Sequence, residues 1–224
     1  MAAGKGSAQL GMLDAPPRDL LEFERRCRRD GYRRIAGVDE AGRGPLAGPV
    51  VAAAVVLKYP FDLGDFPGLD DSKVVPRDLR ERLFDQVTAR AAACGVGMVG
   101  PEEIDEVNIL AASLDAMRRA VEALGGPPDL VLVDGNQPIR GLAVAQKTLV
   151  KGDGRSASIA AASILAKVTR DRLMEAFDRQ YPEYGFARHK GYASTEHRAA
   201  IRRHGPCPIH RRTFGTVRLL LEEG

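Results

Sequence analysis

From residue 50 to residue 57 the chain reads Val-Val-Ala-Ala-Ala-Val-Val-Leu, apolar without a break. That is the length of a strand rather than of a buried helix, and a strand with no polar alternation must be covered on both faces. The uncharged stretch around it, 44–57, has 14 residues and contains Pro45 and Pro49, too short to span a bilayer. A doubly covered strand demands a sheet with helices on either side, and the flanking sequence supplies the parts. Further strand candidates lie at 35–39, 94–99, 130–133 and 142–147. Leu79, Leu83 and Val87 recur with helical spacing behind Pro76 and Asp78. Leu110, Leu114, Met117, Val121 and Leu124 do so up to the stop signal Gly125-Gly126-Pro127-Pro128. Ser156 opens a long helix whose first half, 159–166, is Ala-rich and apolar nearly all round, so it should be buried at close quarters. Its second half reads as amphipathic, with Leu173 and Phe177 inward and Arg170, Arg172 and Asp178 outward. One more helix should start after Ser194-Thr195. The alternation predicts an α/β fold, a five-stranded sheet covered by helices.

With 224 residues the chain can bury a sizeable core without disulfides or metal staples. Trp is absent and aromatics make up 5%, so that core must be built from Ala, Val, Leu and Ile. Residues 1–18 read as a flexible tail. The N-terminus has no apolar segment of the kind a signal peptide needs. Cys27, Cys94 and Cys207 lie far apart with no CxxC pair, which fits a reduced cytoplasmic setting. A net charge of +3 hides two basic clusters. One holds six arginines between residues 22 and 34, and the other places seven Lys/Arg against the single acid Glu196 between 188 and 212. Such clusters can meet phosphates or can simply be solvated helix faces.

The acids carry more information. Asp39-Glu40 close the first strand candidate, Asp134 closes the fourth, and Asp153 sits in Lys-Gly-Asp-Gly just ahead of the long helix. Ligands of α/β sheets bind at the carboxyl edge of the strands. Carboxylates converging there repel one another unless a cation joins them, and oxygen-only ligands favour Mg²⁺ or Mn²⁺ over zinc. Two such ions could drive phosphodiester cleavage. The plainer possibility is that Asp-Gly is only a turn. Adjacent Asp39 and Glu40 also point to opposite faces of a regular strand, so both can ligate only if the backbone departs from the strand there, which Gly42 permits. Residues 42–47 nominally fit a dinucleotide fingerprint, but Pro45, Gly48 and Pro49 lead into a strand rather than a helix, so that reading is rejected. The Gly42-Arg43-Gly44 loop can instead bring backbone N–H groups close to a sugar or phosphate. No Walker A or GxSxG motif is present. Cys207 and His210 lack a second metal-binding pair, which leaves the histidines as surface and loop residues rather than a zinc site.

Taken together, residues 37–50 (Gly-Val-Asp-Glu-Ala-Gly-Arg-Gly-Pro-Leu-Ala-Gly-Pro-Val) resemble the signature of the ribonuclease HII family. Asp71-Ser72-Lys73, Val133-Asp134-Gly135-Asn136, Lys151-Gly152-Asp153, residues 158–167, His189-Lys190-Gly191-Tyr192 and residues 210–214 are similar too, in family order over roughly 33–216. The resemblance implies a ribonuclease H-like fold. This is a mixed five-stranded sheet flanked by helices, its second strand antiparallel to the rest, with a C-terminal helical extension. The catalytic domain would run over 19–216 and 217–224 would be a tail. It implies two-metal hydrolysis, with Mg²⁺ or Mn²⁺, of RNA paired to DNA and of single ribonucleotides in duplex DNA. The cut would fall on the 5′ side and leave a 3′-hydroxyl and a 5′-phosphate.

Asp39, Glu40, Asp134 and Asp153 resemble the family's catalytic, metal-binding acids, which implies an irregular strand end at Asp39-Glu40. Gly42, Arg43 and Gly44 resemble the loop that reads the 2′-hydroxyl, and Tyr192 the tyrosine that packs on the deoxyribose beyond the RNA–DNA junction. Lys73 and Lys167 are candidate phosphate contacts. The partner is an RNA–DNA hybrid or ribonucleotide-containing duplex, with no membrane, and a monomer is expected. Val74-Val75 and Ala193-Ser194 depart from the family pattern where substrate is handled. The segment before Ile35 is too short for the extra domain of the sister family, ribonuclease HIII. A non-catalytic hybrid binder would not need the four acids, and a junction resolvase would cut four-way DNA without any ribonucleotide.

Overall fold

The computed structural model describes residues 19–222; the N-terminal stretch 1–18, read above as a tail, lies outside them. Helix α1 (Glu22–Arg29) leads into strand β1 (Ile35–Ala41), which turns at Gly42 toward β2 (Val50–Val56). Then come α2 (Arg77–Arg90), β3 (Ala93–Val99), α3 (Pro101–Val107), α4 (Ile109–Glu122), β4 (Leu130–Asp134) and β5 (Ala145–Leu149). Helix α5 (Ala157–Gln180) is the longest, and α6 (Phe186–His189), α7 (Thr195–His204) and α8 (Gly215–Glu222) follow it. The sheet order is β3-β2-β1-β4-β5. Strand β2 pairs antiparallel with β1 and β3, while β1–β4 and β4–β5 are parallel, so β2 alone runs against the others, as expected.

The unbroken apolar run behaves as its composition demands. Alternate residues of β2 enter two cores: Ala53 and Val55 pack with Leu83 and Val87 of α2 and with the alanines of α5, while Ala52, Ala54 and Val56 pack with Ala112, Ala116 and Ala120 of α4. Small residues let the helices approach closely. A Cβ on Gly37 of β1 would lie 2.2 Å from the backbone carbon of Ser158, and one on Gly95 of β3 would lie 2.1 Å from the Ala120 carbonyl oxygen. Ser156 caps α5, its hydroxyl accepting from the Ile159 N–H, a contact worth about 1 kcal/mol.

Four differences from the sequence reading have physical causes. The fifth strand forms at Ala145–Leu149, not at 142–147, because Leu142 and Val144 spend their apolar surface on the α4 core while the polar edge strand pairs with β4 from Leu130↔Ala145 to Asp134↔Leu149. A short helix, α3, opens at Pro101 behind Gly100, where no element was expected. Helix α8 crosses the boundary drawn after residue 216, and Val217 is fully buried against Leu46, Ile201 and Ile209. Arg170 is buried rather than outward, four residues before buried Met174, while Leu173 is only partly covered. At that end α5 packs partly on the backbone of residues 47–49, so its inward face mixes Arg170, which meets carbonyls, with Met174, which packs in a small apolar cluster.

Candidate active site

Parallel strands β1 and β4 end side by side. Their last ladder pair is Val38↔Val133, and the next residue in each is an aspartate. Asp153 reaches them from a short 3-10 turn, Gly152–Gly154, between β5 and α5. The Gly152 N–H donates to Asp134 Oδ1 at 2.7 Å and fixes that turn against β4. One carboxylate oxygen each from Asp39, Asp134 and Asp153 lies within 4.8 Å of the others. Asp39 and Asp153 are buried.

Burial and the charges of Glu40 and Asp134 hold Asp39 well above the usual carboxylate range, although the Glu40 N–H donates to it. Burial also raises Asp134, against the Gly152 N–H, which favours the charged form. Three repelling oxygens in a desolvated space fit a hard divalent cation, since its charge cancels the repulsion that burial amplifies.

Glu40 is not one of the three acids whose oxygens lie within 4.8 Å of one another, but its charge is felt by Asp39 and it feels that of Asp134. The strand does not become irregular at Asp39-Glu40: the antiparallel ladder continues through Glu40↔Ala52 and Ala41↔Val51. Regular alternation starts the Glu40 side chain from the other face of the strand, yet its carboxylate comes near enough to Asp39 and Asp134 for their charges to repel. Its Oε1 is 3.3 Å from Arg43 Nη1. Burial pushes its pKa up, against the pull of Arg43. The departure from strand geometry comes at Gly42, with φ +98°.

Lys73 reaches the trio, its Nζ 3.2 Å from Asp153 Oδ2 and 3.6 Å from Asp71 Oδ1. The side chain is 74% exposed, so the pair is screened and contributes little stability. Lys167 does not join the trio: it pairs with Asp171 on its own helix at 2.7 Å, and burial lowers its pKa. A cleft of about 1100 Å³ opens over Asp134, Asp153 and Lys73, lined also by Lys151, Arg155 and Arg26 of α1 and by the acids Asp19, Glu22, Asp70 and Asp71. Of the first arginine cluster, Arg26 alone lines the cleft. Its helix is anchored by buried Glu24, whose Oε1 accepts from the hydroxyls of Ser156 and Ser158 and from the Ser158 N–H.

The Gly42-Arg43-Gly44 loop and Tyr192 share one surface. A Cβ on Gly44 would sit 3.6 Å from Tyr192 Cε1, and the Tyr192 side chain is half-exposed. The histidines below Tyr192 are not surface residues, contrary to the sequence reading. His197 and His210 are buried, their Nε2 atoms 3.0 Å apart, and burial lowers both to about 4. Tyr192's carbonyl oxygen can only accept, so His197 Nδ1 donates to it at 2.9 Å. His197 Nε2 then accepts from His210 Nε2, leaving His210 Nδ1 to accept the Cys207 N–H at 3.0 Å. Every donor in this neutral chain finds an acceptor, which fixes the backbone of Tyr192.

Sequence reasoning also missed the residues that hold the loop from beneath. Arg211 is fully buried and donates to the carbonyls of Gly42, Arg43, Pro45 and Gly48. Arg170 donates to those of Ala47, Pro49 and Lys190. For Arg170 the only available signal was an arginine at helical spacing from the buried Met174. For Arg211 it was the motif at 210–214, to which no role attached.

A family model described as ribonuclease HII matches residues 36–217. The chain belongs to that family. A ribonuclease HII from Syntrophotalea carbinolica is 61% identical over 198 residues, 88% of this chain and 93% of that protein. Among solved structures, the ribonuclease H2 of Pyrococcus horikoshii OT3 superposes with a TM-score of 0.71 at 31% identity, covering 85% of this chain and 98% of its own. Bst ribonuclease HIII, solved in complex with Mn²⁺, shares the fold with a TM-score of 0.67 at 18% identity, covering 86% and 70%. As a ribonuclease HII, the protein is a metal-dependent endoribonuclease acting on RNA paired to DNA. No helix among the described residues is long and apolar enough to cross a membrane.

Proposed function

We propose that this ribonuclease HII hydrolyses the RNA strand of RNA–DNA hybrids and also cuts on the 5′ side of single ribonucleotides embedded in duplex DNA, leaving a 3′-hydroxyl and a 5′-phosphate. The observation that carries this reading is the adjacency of two things: a carboxylate trio built for divalent cations, and, one turn of chain beyond Asp39, a glycine loop facing an exposed tyrosine. Asp39, Asp134 and Asp153, with Glu40 beside them, would hold Mg²⁺ or Mn²⁺. When two such ions are bound, they supply an activated water and a stabilised leaving oxygen. The chain's own residues do the rest. The Gly152 N–H keeps Asp134 oriented. Gly44 carries no side chain where a ribose would approach, so backbone N–H groups can meet the 2′-hydroxyl that distinguishes RNA from DNA. Tyr192 offers an aromatic face to the following deoxyribose. Lys73 Nζ lies 3.2 Å from Asp153 Oδ2 and would be free to meet a phosphate if that carboxylate held a cation instead. The protein acts as a monomer.

The test is a DNA duplex with one ribonucleotide, labelled at its 5′ end and incubated with the protein in Mg²⁺, Mn²⁺ or EDTA beside an all-DNA control. A single cut 5′ of the ribonucleotide, absent in EDTA and in the control, is the expected result. Hybrid binding without any cut under either metal would overturn the reading and favour a pure binder. The affinity for the same duplex should also fall steeply between about 50 and 200 mM salt, because phosphate contacts by Lys and Arg dominate binding. A flat salt response would remove the basic clusters from the interface.

A further inference from the structure

We propose that Arg211 and Arg170 are positioning residues for ribonucleotide recognition, clamping the carbonyl side of the 42–49 loop so that its N–H side faces the substrate. The inference rests on the reading of Gly42-Arg43-Gly44 as the ribonucleotide-reading loop and deepens it. A trans peptide points its C=O and the following N–H in opposite directions. Arg211 Nη2 donates to the Gly42 oxygen at 2.6 Å, and Nη1 donates to those of Arg43 and Pro45 at 3.0 and 2.9 Å. The N–H groups of Arg43, Gly44 and Leu46 are therefore turned to the other side. The Leu46 N–H shows where that side lies, since it donates at 2.8 Å to the carbonyl of Gly191, next to Tyr192. Neither the Arg43 nor the Gly44 N–H has a protein partner among the described residues.

Arg170 joins the second wall to the first. Its guanidinium spans the Ala47 and Pro49 oxygens at 3.1 and 3.0 Å and the Lys190 oxygen at 3.1 Å, so one side chain fixes the loop relative to the Tyr192 segment. Gly42 is shaped around it: a Cβ there would lie 2.0 Å from Arg170 Nε.

Both arginines are buried, and neither makes a salt bridge to a carboxylate among the described residues. Burying two like charges against carbonyl dipoles, with only the Phe214 ring over Arg211 and the more distant charges of Asp105 and Asp171 to help, is a costly way to close a turn. It makes sense where the peptides must be oriented and polarised, because a carbonyl pulled toward a cation leaves its own amide N–H a better donor. Lysine could not substitute, since a point ammonium with three donors cannot reach the four carbonyls that Arg211 holds, nor the three set apart around Arg170.

The test compares Arg211→Lys, Arg170→Lys and Gly44→Ala with the parent protein. Each is measured for cooperative thermal unfolding, for Mn²⁺ binding, and for affinity in EDTA toward a duplex with one ribonucleotide and toward the same duplex in all-DNA form. A Cβ at Gly44 meets only the Tyr192 ring edge, so that variant probes the loop without disturbing the clamp. Arg211→Lys is expected to keep Mn²⁺ binding while the ratio of the two duplex affinities falls about tenfold, the loss of one or two well-aimed hydrogen bonds. A merely structural arginine would lower the unfolding temperature and leave the ratio intact. If Gly44→Ala loses the ratio and a folded Arg211→Lys keeps it, the clamp proposal is wrong and the loop reading stands. If both keep it, the loop reading itself fails. Should Arg211→Lys not fold, Arg170→Lys decides by the same criteria.

Discussion

Asp39→Asn is expected to abolish cleavage, by on the order of 10³-fold or more, while an RNA–DNA hybrid still binds and the metal-free protein becomes more stable. The loss follows from geometry. Asp39 supplies one of three carboxylate oxygens within 4.8 Å of one another, and an amide oxygen without charge holds a divalent cation poorly. Binding survives because Arg26, Lys73, Lys151 and Arg155 of the cleft, the loop and Tyr192 are untouched, and one negative charge is removed. The stability gain follows from the cause of the pKa shift. Burial and neighbouring carboxylates raise Asp39 well above its ordinary value, so the folded state retains a proton that the unfolded chain has already lost. Between the ordinary and the raised pKa, Asp39's contribution to the stability of the metal-free protein therefore falls as pH rises, and it stays low above the raised value. The neutral amide removes that penalty, so the metal-free variant should unfold at a higher temperature than the metal-free parent. Thermal unfolding in EDTA, followed from pH 4 to 8, should show the variant's midpoint gaining on the parent's as pH rises, on top of the rise between about pH 4 and 6.5 that buried His197 and His210 give to both proteins. Mg²⁺ or Mn²⁺ should raise the parent's midpoint and barely move the variant's. Cleavage retained by Asp39→Asn, or a lower midpoint in EDTA, would contradict the account.

What the sequence revealed and what it hid differ in kind. The β2 run was legible because burial on both faces erases polar alternation, and the acids were legible because each sits where a strand or turn ends. The approach of Asp134 to Asp39 needed only the parallel pairing of β1 with β4. The state of Glu40 was not legible, since whether a strand bends at one residue or two residues later depends on pairing with β2, which is a tertiary fact. Arg170 was misread because helical periodicity shows which face is apolar, whereas this face packs against loop carbonyls. His197 and His210 looked like surface residues because no local pattern marks two histidines, thirteen residues apart, that satisfy each other inside a small core. In each case the hidden feature is a polar contact between distant segments, and those contacts hold the surface that meets substrate.

Gly37→Ala should have the largest effect of any change outside the acids, and it should couple stability to turnover. The added methyl would lie 2.2 Å from the carbon, 2.5 Å from the oxygen of Ser158 and 2.3 Å from the Ile159 nitrogen, all backbone atoms of the first turn of α5. That turn cannot yield locally, because Glu24 holds Ser156 and Ser158 from the other side. The start of α5 must lift off β1, with a stability loss of ~3 kcal/mol or more. The same displacement separates Asp153, five residues before Ser158, from Asp39, two residues after Gly37. A misplacement of about 1 Å at such a site reduces turnover by on the order of 10²-fold even in molecules that remain folded. Gly95→Ala is the matched control. Its methyl would meet the Ala120 carbonyl oxygen at 2.1 Å on the opposite face of the sheet, so it should destabilise comparably while the folded enzyme keeps its turnover. Urea unfolding gives the stabilities, and kcat at a temperature where both variants are folded gives the turnover. Equal kcat losses in the two variants, or none in Gly37→Ala, would mean that the contact between β1 and α5 supports the fold without setting the distance between the catalytic acids.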